Sequence, residues 1–348
     1  MKVLVLTNMA PFVWGGAEEL THHLVVNLRL RGLEAEAFRI PFKFEPYERL
    51  VDEMFICKSL RLRNVDLVIA LKFPAYLVPF ENKVFWLLHQ YRQAYDLWDA
   101  KQSNIPDTDR GRQVRRLIIE NDNTCFSSRT KIYVNSKVTA SRLKRYNGFD
   151  SEVLHPPLND PELFSNVNDN GYIIAPGRVN GMKRQWLIVD AMRYLPRDTR
   201  LIVAGPPDSE EDATRLRRII AEWNIEDRVK LDLRLIPRRE LAELVGRSRC
   251  VAYAPVDEDS VSYVAMESFQ CCKPVATTSD SGGVLHLVEH EHSGCVAQPD
   301  AKAFAQALAY LLENPERARK MGQAGHEQWR SRGINWPTTI DKLLAGRR

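Results

Sequence analysis

Two segments of the 348-residue chain gather charge in a pattern that calls for a ligand. Asp257–Phe269 reads DEDSVSYVAMESF: three consecutive acids, then hydroxyl residues and small apolar residues, with a fourth acid, Glu267, eight positions after Asp259. Neighbouring carboxylates repel unless cations or a hydroxyl-rich partner sit beside them. Pro176–Arg184 reads PGRVNGMKR and places Arg178 and Lys183 five apart around a glycine turn. Arginine grips phosphate oxygens through two N–H groups, and lysine adds a point charge. Cations at the entry to a helix run against its dipole, so an anion is expected between them.

Each segment follows a short apolar run, Gly171–Ala175 and Cys250–Ala254, that reads as a strand. A helix is predicted to begin near Lys183 and another around Val261–Tyr263. The backbone N–H groups of Val261, Ser262, Tyr263 and Val264 would then face an anion at the second helix start. Glu267, inside that helix, suits two vicinal hydroxyls such as those of a ribose. Glu258 or Asp259, in the loop, suits the hydroxyls of a second sugar. With Arg178 and Lys183 on a diphosphate, this is the outline of a nucleotide-sugar. An exposed acidic loop beside two solvated cations is the plainer alternative.

The first half offers a matching edge. The strand Lys2–Thr7 runs into TNMAPFVWGGAEE, where Gly15 and Gly16 stand directly before a predicted helix. Glycine there lets a backbone approach a ligand, although it also serves an ordinary turn. The G-x-G-x-x-G dinucleotide fingerprint is absent, which argues against an NAD domain. His89 closes another apolar strand, and a lone histidine in such a place is open between structure and ligand contact.

The elements that must hold these loops alternate along the whole chain. Strands are predicted at Lys2–Thr7, Glu34–Ile40, Val65–Ala70, Lys83–Leu88, Lys131–Asn135 and Glu152–His155. The pattern restarts at Gly171–Ala175, Arg200–Ala204, Arg228–Leu233, Cys250–Ala254 and Pro274–Thr277. Helical segments such as Ala17–Arg31 lie between them. Such alternation predicts an α/β fold of two Rossmann-like domains with parallel sheets. His155–Asn170, with three prolines and four asparagines, reads as the linker, so the domains are expected at 1–157 and 158–333. A hydrophobic share of 44% and a charged share of 27% exclude a disordered or fibrous chain. A net charge of +4 suits an anionic ligand and is too small to argue for nucleic acid. No window reaches the ~18 apolar residues of a membrane span, and the N-terminus reads as a strand, not a signal peptide. The six cysteines show no metal or redox spacing and are expected to be reduced. Asp107-Thr108-Asp109 resembles a metal-binding D-x-D but lies in a polar, arginine-rich segment, so it is assigned to a solvated loop. Arg110–Arg116, RGRQVRR, reads as a solvated basic helix face, with anionic lipid as its alternative partner.

Taken together, GGAEE at 15–19, PGRVNGMK at 176–183, DSVSYVAMES at 259–268 and TSDSGG at 278–283 resemble the retaining nucleotide-sugar glycosyltransferases of family 4, which have the GT-B fold. NSKVTASRL at 135–143 and VLHPPL at 153–158 fit the same pattern, and the resemblance runs over essentially the whole chain. It implies two parallel sheets facing an interdomain cleft, with a C-terminal helix of about 334–348 crossing back to the first domain. Arg178 and Lys183 would stabilise the departing diphosphate. Glu267 would bind the ribose, Gly16 would admit the donor, and His89 would contact the donor sugar. Asp259 stands where the family has glutamate, leaving Glu258 as a substitute. Ser262 stands for the usual glycine, and Ser260-Val261 for a Pro-Phe pair. The hydroxyl acceptor, a glycan, lipid-linked sugar or small molecule, is expected near Lys72, Tyr76, Arg92 and Tyr95. No metal or other cofactor is expected. UDP is the favoured base and GDP the next. The location implied is cytoplasmic, with peripheral contact at the inner membrane face as a further expectation. The alternative is a degenerate GT-B protein that binds without turnover.

Overall fold

The computed structural model describes residues 1–126 and 130–346, in two compact units. One unit is Met1–Asn159 together with the chain from Ile334 on, and the other is Asp160–Gly333.

The first unit holds β1 (Lys2–Met9), α1 (Gly16–Leu30), β2 (Glu34–Pro41), α2 (Leu50–Ser59), β3 (Leu67–Lys72) and β4 (Lys83–His89). It continues with α3 (Asp96–Asp99), α4 (Asp109–Cys125), β5 (Ile132–Val134), α5 (Lys137–Asn147) and β6 (Glu152–Val153). All six strands are parallel, in the order β2-β1-β3-β4-β5-β6. The sequence period explains the two-sided burial. On β3, Leu67, Ile69 and Leu71 join one core while Val68 and Ala70 join the other; on β4, Val84, Trp86 and Leu88 alternate with Phe85 and Leu87. Strands covered on both faces read as continuous apolar runs, which is why they were visible in sequence.

The second unit holds β7 (Ile173–Pro176), α6 (Gln185–Ala191), β8 (Leu201–Ala204), α7 (Glu210–Trp223), β9 (Val229–Asp232), α8 (Arg238–Gly246) and β10 (Cys250–Ala252). It ends with α9 (Tyr263–Gln270), β11 (Val275–Thr278), β12 (Gly294–Ala297), α10 (Ala301–Leu312) and α11 (Pro315–Ser331). The parallel order is β12-β11-β10-β7-β8-β9. Five strands are legible in this half from sequence, and the structure has a sixth, β12. Its four residues, GCVA, sit at the sheet edge paired only to β11 and are too short and small to stand out. Likewise α6 begins at Gln185 rather than Lys183, because Arg184 takes a left-handed backbone at its N-cap.

The final helix, α12 (Trp336–Ala345), packs on the first unit. Trp336, Ile340 and Leu343 enter the core that contains Leu20, Leu24 and Leu28 of α1. Tyr133 donates its hydroxyl to the carbonyl of Lys342 at 2.9 Å. Positions 347 and 348 of the expected terminal helix lie outside the described residues. No described helix is long and apolar enough to cross a membrane.

Candidate active site

In the second sheet the chain reverses direction of growth between β7 and β10, and in the first between β1 and β3. Ligands of such sheets bind beyond the carboxyl ends of the strands at these switch points. The loops that follow β7 and β10 are the two charged segments.

Lys183 stands at the centre of the β7–β10 edge. Its ammonium donates to the hydroxyl of Tyr253 at 2.6 Å and pairs with the Glu258 carboxylate. Tyr253 donates in turn to Glu258 at 2.9 Å. Burial would pull the Lys183 ammonium down, but Tyr253 and Glu258 outweigh it and hold the group above the ordinary lysine range. Arg178, half-exposed, donates to Asp208 at 2.9 Å, and Asn180 bonds the other oxygen of the same carboxylate. The two cations therefore hold different carboxylates.

The acidic loop is pinned along its length. Val256 N–H donates to the Met182 carbonyl and Asp257 N–H to the Asp280 carbonyl, both at 2.8 Å. Asp257 itself has φ 45°. The TSDSGG segment packs directly beneath. A Cβ on Gly282 would fall 2.6 Å from the Glu258 backbone, and one on Gly283 would fall 2.4 Å from the Ser260 carbonyl oxygen. The two glycines let the loops nest. Asp259 is half-buried in this loop.

Helix α9 opens on Ser262, whose hydroxyl accepts from the Val264 N–H at 3.1 Å. This corrects the expectation that every N–H from Val261 to Val264 is open to a ligand: Val264 is already capped. The Val261 side chain is fully buried, and Tyr263 forms the first turn, half-buried. Glu267 is buried and pairs with Arg238, the first residue of α8. The Arg238 guanidinium stacks 4.7 Å from the Phe164 ring centroid.

Arg184 carries a dense set of contacts. Its guanidinium donates to the carbonyls of Ala254 (2.7 Å) and Pro255 (3.0 Å), to the Thr278 hydroxyl (2.8 Å), and to both oxygens of Asp280 (2.6 and 2.9 Å). Burial raises the Asp280 carboxyl, but the hydrogen bonds from Arg184 and Thr278 more than offset it and leave it below the usual range. Arg184 has φ 51° and ψ 38°, a conformation costing a non-glycine residue of order 1 kcal/mol.

On the first unit, Gly15 caps α1 and Gly16 begins it. Glu18 accepts from Gly15 N–H at 3.1 Å and from Lys72, at the end of β3, also at 3.1 Å. His89, at the end of β4, is the register partner of Lys72. Burial pushes its imidazole down to about 4; a bond to the Gln90 carbonyl opposes this, and the cations of Lys72, Arg92 and Arg142 add to it. The ring is neutral at pH 7. The 2.7 Å contact of Nδ1 with the Gln90 carbonyl puts the proton on Nδ1 and leaves Nε2 as an acceptor. Arg92 donates to Asp96 from Nε and Nη2 at 2.9 and 2.7 Å.

Two acceptor assignments are corrected. Tyr76 and Tyr95 are fully buried, and both hydroxyls donate to the Asp122 carboxylate, at 2.8 and 2.7 Å. They belong to the core and offer no surface to an acceptor. The D-x-D segment is solvated, as expected: Asp107 precedes α4, Thr108 caps it and Asp109 opens it, and both aspartates are exposed and pair with Arg112. Among the described residues, no group of three or more His, Cys, Asp or Glu could hold a metal. All six cysteines are free thiols. A groove of about 670 Å³ lies at the amino ends of β1 and β2, lined by Arg29, Glu34 and Arg63 among others, at the opposite strand ends from both loop clusters.

Sequence reading missed Arg184, Arg238, Tyr253, Asp208 and Asp280. Arg184 and Tyr253 adjoin motif residues and Asp280 lies inside TSDSGG; Arg238 and Asp208 are single charges whose partners lie far along the chain.

Residues 161–328 match the family described as glycosyl transferases group 1. The chain is 24% identical over 277 residues to a D-inositol 3-phosphate glycosyltransferase of Mycobacteroides abscessus, covering 75% of this chain and 60% of that protein. It is 26% identical over 221 residues to the human alpha-1,3/1,6-mannosyltransferase ALG2, covering 56% and 52%. The matched part thus spans just over half the length of these relatives. A sucrose-phosphate synthase from Thermosynechococcus elongatus aligns with TM-score 0.77 at 18% identity, over 99% of this chain and 98% of that one. These matches bear out the resemblance to family 4 and the GT-B fold class.

Proposed function

From the match of residues 161–328, within the second unit, to the glycosyl transferases group 1 family, we propose that the chain moves a sugar from a nucleoside-diphosphate sugar to an acceptor hydroxyl, with retention at the anomeric carbon. The observation that carries this reading is the meeting of Lys183, Tyr253 and Glu258 at the β7–β10 switch point, where an anionic ligand of this fold class binds.

The chemistry assigns a role to each group. The bond between the anomeric carbon and the diphosphate breaks, and the sugar gains oxocarbenium character. Lys183 and Arg178 stabilise the charge that develops on the leaving phosphate. The acceptor hydroxyl attacks from the face the diphosphate leaves, and its proton passes to a departing phosphate oxygen. This route needs no enzymic nucleophile. Glu267 holds the ribose hydroxyls, and Asp259 or Glu258 those of the sugar. Neutral His89 accepts a hydrogen bond from a sugar hydroxyl through Nε2. The acceptor site falls to Lys72 and Arg92, with Tyr76 and Tyr95 removed from it. UDP is the favoured base and GDP the next; a glycan, lipid-linked sugar or small molecule is the acceptor. The basic face of α4, in the first unit, is the part suited to an anionic membrane surface.

The test is thermal stabilisation by UDP-, GDP- and ADP-sugars on wild type, Arg178→Ala and Glu267→Ala, followed by anomer analysis of the product. A ligand that binds only the folded state raises the midpoint. A shift with one base, lost in both variants, supports the reading. Binding without hydrolysis or transfer of any donor supports the degenerate protein, which Asp259 in place of glutamate favours.

A further inference from the structure

Three loops meet at the carboxyl edge of the second sheet, and the Arg184 guanidinium touches each. It belongs to the loop after β7, it holds the Ala254 and Pro255 carbonyls that lead into the acidic loop after β10, and it grips Thr278 and Asp280 after β11. Arg184 directly follows Lys183, and Pro255 stands three residues before Glu258. The Asp280 carbonyl in turn accepts from Asp257 N–H, and Gly283 N–H donates to the Glu258 carbonyl. The clamp therefore bounds both members of the Lys183–Glu258 pair. The guanidinium is buried, so it is not placed to touch a ligand. The residue keeps an arginine in a left-handed conformation that glycine would adopt freely.

We infer that Arg184 is a positioning residue: through Pro255 and Asp280 it fixes the loop that carries Glu258 and Asp259, and so sets where the Lys183 ammonium stands. Its use in substrate binding rests on the reading of this edge as the nucleotide site. Arg184 acts through Lys183 and the acidic loop, not on the substrate itself. Asp280 is its partner in that task, and losing either breaks the same clamp.

Two readouts on the full chain test this, in wild type, Arg184→Gly, Asp280→Asn and the double variant. Glycine suits the backbone at 184, and asparagine at 280 leaves the carbonyl bonds of Arg184 in place, so at least one folded variant is available. The first readout is the acylation rate of Lys183 by acetic anhydride in ligand-free protein, followed by mass spectrometry well below the thermal midpoint. Both single variants should raise it several-fold, with the double variant no faster than the faster single. An unchanged rate in folded Arg184→Gly and Asp280→Asn overturns the proposal. The second readout is the dissociation constant for UDP and GDP by calorimetry, which should rise about tenfold in each single variant with no further rise in the double. A freed Lys183 with nucleotide affinity within twofold of wild type would confine Arg184 to holding the fold and overturn its role in the site. A freed Lys183 in a chain whose wild type binds neither nucleotide would keep the positioning role and remove the donor reading instead.

Discussion

The Lys183 ammonium is closed on itself by the Glu258 carboxylate, with the Tyr253 hydroxyl bonded to both. The carboxylate occupies the position of a cation's anionic partner, which in the proposed reaction is the diphosphate. In that reaction the internal acid and the incoming phosphate would compete for one lysine.

Removing that competitor's charge, while the Arg184–Asp280 clamp still holds the loop and with it Lys183 in place, should strengthen nucleotide binding. Glu258→Gln keeps the shape and drops the charge, so the affinity for UDP or GDP should rise about tenfold, or ~1.4 kcal/mol. Calorimetric titration decides it: weaker binding in Glu258→Gln would mean that Glu258 holds Lys183 ready rather than blocking it.

The Arg238–Glu267 pair behaves asymmetrically. Glu267 is the more deeply buried partner, and Arg238 is about a quarter exposed. Arg238→Ala removes the cation paired with a buried carboxylate and should cost about 3 kcal/mol of stability. Glu267→Gln leaves a guanidinium that can reach water and that keeps its contact with Phe164, so it should cost less than half as much. Equal losses in urea unfolding would contradict this difference.

These pairs show where sequence reading stops. Runs such as LVIALK and KVFWLLH announced their strands because both faces are covered, and the glycine turns announced the loops between them. Lys183 and Glu258 were legible as charges near strand ends. Their mutual bond was not, because 75 residues separate them in the chain and only the β7–β10 pairing brings the ends together. Arg184 was hidden differently. Beside Lys183 it looks like one more cation, and nothing local reveals that its side chain turns inward to acceptors 70 or more residues away. Tyr76 and Tyr95 misled for the opposite reason: tyrosines in loops near a strand end suit a sugar, yet here a buried Asp122 claims both hydroxyls.

The terminal helix should be held to the first unit mainly by one side chain. Trp336 is buried and meets Trp86 edge to face, with ring centroids 6.3 Å apart. Trp336→Ala should cost about 3–5 kcal/mol, as for other large aromatic residues removed from cores. Limited proteolysis should then cut near Ile334 faster than in wild type. A cleavage rate equal to wild type would show that Ile340 and Leu343 suffice.

Two groups of the first unit, the buried Asp122 and the half-buried His89, should give stability opposite dependences on pH. Burial raises the Asp122 carboxyl to about 7, although the Tyr95 and Tyr76 hydrogen bonds oppose the rise. Between the unfolded value of 3.8 and 7 the folded protein binds the extra proton, so this group makes stability fall as pH rises through that window. His89 is shifted the other way, from 6.5 to about 4. Between those values the unfolded chain binds the extra proton, so His89 makes stability rise with pH, and its contribution is lost on acidification. Each shift corresponds to a few kcal/mol at most, of order 1.4 kcal/mol per pH unit. From pH 4 to 6.5 the two slopes oppose each other in wild type. Asp122→Asn should expose the histidine, with urea midpoints climbing more steeply from pH 4.5 to 6.5 than in wild type. His89→Gln should expose the aspartate and tilt the same curve downward relative to wild type. If both substitutions tilt the curve in one direction, at least one of these groups is not held in the charge state that its surroundings dictate.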